Sequence, residues 1–351
     1  MNDYLLSDLF IEWYNTHHRD LPWRNTRNPY LIWVSEIILQ QTRVEQGLEY
    51  YKRFIERFPD ISSLAQAPLQ EVLLYWQGLG YYSRARNLQA AAQQVMSCFG
   101  GVFPEDYESI RSLKGIGPYT AAAVASFAFG KPYAVLDGNV FRVLARLLAM
   151  NEPIDTAKGR KRFQQAADLL MNPSCAALHN QSVMEFGALQ CTPGQPDCSL
   201  CPLSSHCGAL MQGLVSGLPV KQGKPKVRDR WFYYFYIEMN GQTYLHQRLN
   251  QDIWSHLYEF PMLETDEYLD FGQLSRHPSF QRKFSSVESM KIEPVLLHKK
   301  HVLSHQCIHA DFYRVVLSRP LEDESALIRI EIANLNQYPV SRLMRYCLDL
   351  L

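Results

Sequence analysis

The apolar period of this 351-residue chain changes once, between residues 213 and 229, and no other feature constrains the fold as much. Upstream, apolar residues recur at helical spacing in one segment after another. Leu5, Leu6, Leu9, Phe10, Trp13 and Tyr14 mark the first helix, and Tyr30 to Gln41 the second. Further helices read over 44–58, 69–76, 83–99, 104–113, 120–129, 140–149, 158–171 and 179–189, each bounded by Gly or Pro. No stretch before residue 212 reads as a strand. Gly213 to Arg230 holds two prolines and five basic residues (Lys221, Lys224, Lys226, Arg228, Arg230) and reads as an exposed linker. Beyond it the period is that of strands: aromatic and β-branched Trp231 to Met239, the hairpin signal Asn240-Gly241, then Thr243 to Gln247, His298 to Val302 and Cys307 to Leu317. The expectation is a multidomain chain: an all-α region over 1–212, a linker over 213–229, and an α+β domain with a mixed or antiparallel sheet over 230–351.

Composition narrows the class. Hydrophobic content of 47% with 20% charged residues suits a globular protein. No run approaches the roughly 18 apolar residues of a membrane span, and the start, MNDYLLSDLF, lacks the basic region of a signal peptide. A cytoplasmic location, nucleoid-associated if the chain is bacterial, is the expectation. Formal net charge is zero, so contact with nucleic acid would have to come from local groups and helix ends.

Leu113 to Arg142 combines two devices. Gly115-Ile116-Gly117 forms a turn that leads into a helix from Thr120 to Phe129. Helix N–H groups left unpaired at such a turn sit at the positive end of the dipole and suit a phosphate. Asp137 follows in Leu136-Asp137-Gly138-Asn139, ahead of the next helix. It reads either as a working carboxylate or simply as the cap of that helix. Glu36 poses the same choice: inside an apolar helical run it is either a partnered structural carboxylate or a desolvated functional one.

Eight cysteines call for an account in a reducing compartment. Cys98, Cys175, Cys307 and Cys347 are scattered, whereas Cys191-x6-Cys198-x2-Cys201-x5-Cys207 is a cluster fit for one metal centre. Zinc sites more often come as two short-spaced pairs, but spacing alone leaves zinc and iron–sulfur both open.

The cysteine spacing, at the end of an all-helical region, resembles the iron–sulfur loop of the endonuclease III superfamily of DNA glycosylases. The resemblance implies one [4Fe–4S] cluster held by Cys191, Cys198, Cys201 and Cys207. Gly115 and Gly117 then match a helix-hairpin-helix gripping the DNA backbone within a six-helix barrel, and Asp137 the family aspartate. The lyase branch carries a lysine where this chain has Tyr119, and tyrosine cannot form an imine, so a monofunctional glycosylase is implied. Trp33-Val34-Ser35-Glu36-Ile37-Ile38-Leu39-Gln40-Gln41-Thr42 resembles the catalytic helix of the adenine glycosylases of the MutY family. That resemblance gives Glu36 the role of acid toward adenine and Asp137 that of an anion beneath the sugar, with Tyr119 and Asn139 orienting them.

A base inside a duplex must be flipped to reach such a pocket. Gln41 and Tyr81 are the expected wedges, the latter within Gly78-Leu79-Gly80-Tyr81-Tyr82-Ser83-Arg84-Ala85-Arg86, which resembles the family's intercalation loop. Arg84 and Arg86 are expected on phosphates. The competing reading of the segment is an exposed turn with packed tyrosines. The C-terminal domain resembles the family's Nudix-like domain through Ile253-Trp254-Ser255-His256-Leu257-Tyr258-Glu259-Phe260-Pro261, without a hydrolysing Nudix box. Ser304 and His305 match its Phe-Ser-His segment, with Leu303 in place of the aromatic, and Ser255-His256 stand where the family has Gly-Gly. The function implied is removal of adenine mispaired with 8-oxoguanine or guanine by a monomer acting on double-stranded DNA, open to repair or replication partners such as a sliding clamp. The alternatives are a glycosylase/lyase for oxidised pyrimidines and a non-catalytic DNA-damage binding protein.

Overall fold

The computed structural model describes residues 4–223, 227–284, 290–321 and 323–351; Lys224 and Lys226 of the expected linker lie outside them. The chain divides into two compact units, Met1–Gln66 with Asn87–Gly223, and Ala67–Arg86 with Lys224–Leu351.

The helices preceding the sheet are α1 (Leu5–His17), α2 (Pro29–Leu39), α3 (Val44–Arg57), α4 (Ile61–Gln66), α5 (Leu69–Trp76), α6 (Ser83–Cys98), α7 (Tyr107–Ser112), α8 (Pro118–Phe129), α9 (Gly138–Leu147), α10 (Ala157–Leu170), α11 (Ala176–Leu189) and α12 (Gly208–Met211). The short α4 and α12 were not anticipated, because six and four residues are too few to display a 3.6-residue period. In the first unit α8 is the central rod, with every residue from Thr120 to Ser126 buried. Its alanines let α2, α7 and α11 approach closely. Phe10 and Trp13 of α1 both meet the Phe186 ring of α11 edge-on, with centroids 5.0 and 4.9 Å apart. No helix among the described residues is long and apolar enough to cross a membrane.

The second unit is built on one mixed sheet. Its strands are β1 (Arg228–Met239), β2 (Gln242–Gln247), β3 (Tyr258–Glu259), β4 (Met262–Thr265), β5 (Met290–Val302), β6 (Gln306–Leu317) and β7 (Leu327–Glu331). The order is β3-β2-β1-β6-β5, with β4 also on β1 and β7 on β2. β1 and β6 run parallel and the other pairs antiparallel. β1 is apolar on both faces, as a strand covered on both sides must be. Phe232, Tyr234 and Tyr236 pack with Ile308, Phe312 and α15 (Arg342–Leu348). Tyr233, Phe235 and Ile237 pack with Tyr313 and with Phe280 and Phe284 of α14 (Pro278–Phe284), which follows α13 (Phe271–Arg276). Buried Arg230 and Arg248 share Asp252, and each has a further carboxylate partner, Glu264 and Glu259 respectively. These pairs tie the 248–256 segment to the sheet.

Candidate active site

In the first unit a cavity of about 460 Å³ gathers Glu36, Tyr119, Asp137 and Asn139, with Gln40 and Gln41 on its wall. α2 delivers Glu36. Asn28 caps that helix by accepting from the Tyr30 and Leu31 N–H groups, Pro29 sets its first turn, and eight of its eleven residues are buried. Glu36 is only 6% exposed, and its Oε2 accepts a 2.6 Å hydrogen bond from the Tyr119 phenol at the start of α8. Burial pushes the Glu36 carboxyl up to about 7; the Tyr119 hydrogen bond opposes this, Asp137 adds to it and Arg24 opposes it.

Asp137 fills the cap role that the sequence allowed and also stands in the candidate cavity. It caps α9, its Oδ1 accepting from Val140 N at 2.7 Å, and it lines the same cavity as Glu36. Asn139 donates to its other oxygen at 2.8 Å, and Arg142 Nη2 donates to Asn139 Oδ1 at 2.9 Å. Burial lifts the Asp137 carboxyl above its usual range, against the Val140 N–H, the Asn139 donors and the Arg142 charge. Asn139 fits here because Gly187 of α11 lacks a side chain: a Cβ there would lie 2.7 Å from Asn139 Cβ.

Sequence reasoning missed part of the wall. Arg19 and Arg24 both bridge to Glu185 on α11, at 2.6 and 2.7 Å. Burial raises the Glu185 carboxyl, but the two guanidiniums outweigh it and hold it down to about 2. Nothing in the sequence around Arg19 or Arg24 points to a partner more than 160 residues away. No lysine is among the described residues that line the cavity.

The hairpin glycines differ from one another. Gly115 has φ +77°, and a Cβ on it would lie 2.5 Å from Asn87 Cβ. Gly117 caps α8 with φ −90° in open space. Gln41, just past α2, is a non-glycine residue at φ +58° and is exposed.

Cys191, Cys198, Cys201 and Cys207 surround one small cavity beside Arg146, whose Nη1 lies 3.4 Å from Cys191 Sγ. Burial raises the Cys201 thiol to about 11, and the neighbouring sulfurs contribute to the rise. Part-buried thiols lining one cavity are a donor set that a cationic centre would stabilise. Arg142 Nε donates to the Cys191 carbonyl at 2.7 Å, so the loop connects through Arg142 and Asn139 to Asp137.

The second unit brings Tyr81 and Ser304 together. Ser304 and His305 are exposed at the turn between β5 and β6, closed by the Leu303 N–H on the Gln306 carbonyl. Tyr81, 47% exposed at φ +45°, hydrogen-bonds Ser304 Oγ through its hydroxyl. Both border a cavity of about 500 Å³, as do Trp254 and His301. Leu303 packs inward on the sheet core. Arg84 braces the tyrosine turn, donating to the Leu79 and Gly80 carbonyls with its guanidinium over the Trp76 and Tyr81 rings; Arg86 donates to the Ser255 carbonyl at 2.7 Å. Both arginines are thus engaged on protein groups.

Residues 34–168 match the HhH-GPD superfamily of base excision DNA repair proteins, and residues 233–350 match the NUDIX domain. The adenine DNA glycosylase of Buchnera aphidicola from Acyrthosiphon pisum is 32% identical over 86% of this chain and 89% of its own length. The adenine DNA glycosylase of Homo sapiens is 40% identical over 60% of this chain and 42% of its own length. Among solved structures, a thermostable thymine-DNA glycosylase superposes with a TM-score of 0.56 at 29% identity, over 60% of this chain and 97% of that one. A trapped endonuclease III–DNA covalent intermediate shares the fold, with a TM-score of 0.53 at 22% identity over 61% and 99% of the two chains.

Proposed function

The chain belongs to the adenine DNA glycosylase family and hydrolyses the N-glycosidic bond of adenine in DNA, and we propose that Glu36 and Asp137 divide that chemistry between them. Glu36, with a carboxyl near neutrality, holds a proton for N7 of the flipped adenine, which leaves poorly until protonated. Asp137, fixed by Val140 N–H and Asn139, faces the deoxyribose as positive charge builds on it, and water completes the hydrolysis. The observation that carries this reading is the 2.6 Å contact between Tyr119 and Glu36 in one cavity with Asp137. A phenol takes the place a Schiff-base lysine would need, which disfavours the lyase alternative. Two carboxyls shifted upward in one cavity favour catalysis over mere binding of damage.

The turn at Gly115 and Gly117 and the start of α8 are proposed to hold DNA phosphates, and Gln41 and Tyr81 to enter the stack. Arg84 and Arg86 serve by fixing the Tyr81 turn and Ser255. The partner base is proposed to be 8-oxoguanine or guanine, read by Ser304 and His305 at the β5–β6 turn. One [4Fe–4S] cluster, held by Cys191, Cys198, Cys201 and Cys207, would supply structure rather than an open iron, since all four ligands are thiolates. We further propose that the protein is a monomer with the boundaries 1–212, 213–229 and 230–351.

The test is single-turnover excision on duplexes with A opposite 8-oxoguanine, G, C and T, followed by alkali to cleave abasic sites. Alkali-dependent breaks at A opposite 8-oxoguanine and G, and a Ser304→Ala variant that narrows the gap between 8-oxoguanine and the other partners, are expected. Strand breaks without alkali, or an adduct trapped by borohydride, would revive the lyase reading.

A further inference from the structure

One cluster in the second unit is absorbed by neither the excision chemistry nor the four-cysteine loop. β1 and β6 pair in parallel with Asp229 opposite Cys307 and Trp231 opposite His309, which sets Asp229, Cys307 and His309 on one face. Their ligand atoms, one from each residue, all lie within 4.8 Å of one another. His309 Nε2 is 2.7 Å from Asp229 Oδ1, and the Trp231 ring stacks on the imidazole with centroids 5.2 Å apart, which fixes its plane. Cys307 is 4% exposed, while His309 and Asp229 reach solvent, so the group has a buried thiol and an open side.

We propose that Asp229, Cys307 and His309 bind a divalent cation of the zinc class. A thiolate, an imidazole and a carboxylate form a borderline-soft donor set, which favours zinc over magnesium or calcium. Three protein ligands leave a fourth position for water. On binding, Cys307 releases its proton to solvent and the contact between His309 and Asp229 opens to admit the ion. Lys300, exposed on β5 opposite His309, is the neighbouring cation that opposes binding. The site also has a mechanical consequence. Arg228 N–H already donates to the His305 carbonyl at 3.0 Å, so a metal on Asp229 and Cys307 would clamp the start of β1 to the base of the turn that carries Ser304 and His305.

The experiment uses the full chain with its iron content intact, dialysed against zinc chloride and then counted for zinc and iron. The expected result is one bound zinc per chain with iron unchanged, and a rise in melting temperature on adding zinc. Cys307→Ser and His309→Gln are expected to abolish both effects, Asp229→Asn to weaken binding, and Lys300→Ala to tighten it. Asp229 is half-exposed, so the asparagine variant keeps the test meaningful if a change at buried Cys307 fails to fold. No zinc bound by the unaltered chain, or uptake unchanged in His309→Gln or Asp229→Asn, would overturn the proposal.

Discussion

Tyr119 donates its phenolic hydrogen to Oε2 of Glu36 across 2.6 Å, joining residues 83 positions apart in sequence. The bond stabilises the carboxylate form and so opposes the burial that raises the Glu36 carboxyl to about 7. If Glu36 acts as the acid, excision must fall as pH rises through about 7. Tyr119→Phe removes the opposing bond, so the descending limb is expected to move to higher pH. Single-turnover rates between pH 5 and 9 check both points; a limb that stays in place or moves to lower pH counts against Glu36 as the acid.

The same burial has a cost in stability. A carboxyl whose folded value exceeds its unfolded one binds more protons when folded, so its favourable contribution is complete below about 4.5 and is lost as pH rises through about 7. Glu36→Gln is therefore expected to leave the protein more stable than the unaltered chain at pH 8, by an amount on the order of 2–3 kcal/mol, with little difference at pH 5. Excision should be abolished and binding to mispaired DNA retained. Melting temperatures of the two proteins at each pH decide it, and a difference independent of pH would rule out the shift.

Much of this site was legible because helical periods are local. Glu36, Tyr119, Asp137 and Asn139 sit where the glycine turn and the apolar helices put them, and the structure brings them into one cavity. The pairing of Arg19 and Arg24 with Glu185 was not legible, since a charge pair across the fold leaves no spacing to read. Likewise the sequence points Arg84 and Arg86 at phosphates, and nothing in it shows that their guanidiniums reach carbonyls. In the second unit the long strands β1 and β6 showed their pattern, while the two-residue β3 and four-residue β4 are too short to alternate visibly.

Gly187 offers a test of Asn139 that leaves the side chains of Glu36, Tyr119 and Asp137 unsubstituted. A Cβ at position 187 would lie 2.7 Å from Asn139 Cβ and 3.0 Å from its carbonyl oxygen. Gly187→Ala must displace that backbone, which costs about 1–3 kcal/mol and tilts the donor that holds Asp137. A lower melting temperature and an excision rate reduced roughly tenfold or more are expected. Full excision activity in a destabilised variant would show that Asn139 does not position Asp137.

Cys198→Ser is expected to release iron and the visible iron–sulfur absorption. The loss should travel inward, because Arg142 links the Cys191 carbonyl to Asn139. Iron content, DNA affinity and excision should fall together. Retention of the full visible spectrum would remove Cys198 from the ligand set.

His256 carries a strain that glycine would relieve. Its φ is +68°, two residues after Trp254 at φ +57°, and its N–H is held by the Arg248 carbonyl at 2.6 Å, so the left-handed backbone is built in. A left-handed non-glycine residue costs about 1–2 kcal/mol, and glycine returns about 0.5–1 kcal/mol of that as unfolded-chain entropy. His256→Gly is thus expected to stabilise the second unit by roughly 0.5–1 kcal/mol, visible as a higher melting temperature. Because Arg86 holds the adjoining Ser255 carbonyl and Ser255 is buried, the segment should keep its path, and excision opposite 8-oxoguanine should be unchanged. A lower melting temperature would mean that the imidazole contributes more by its contacts than its backbone loses by strain.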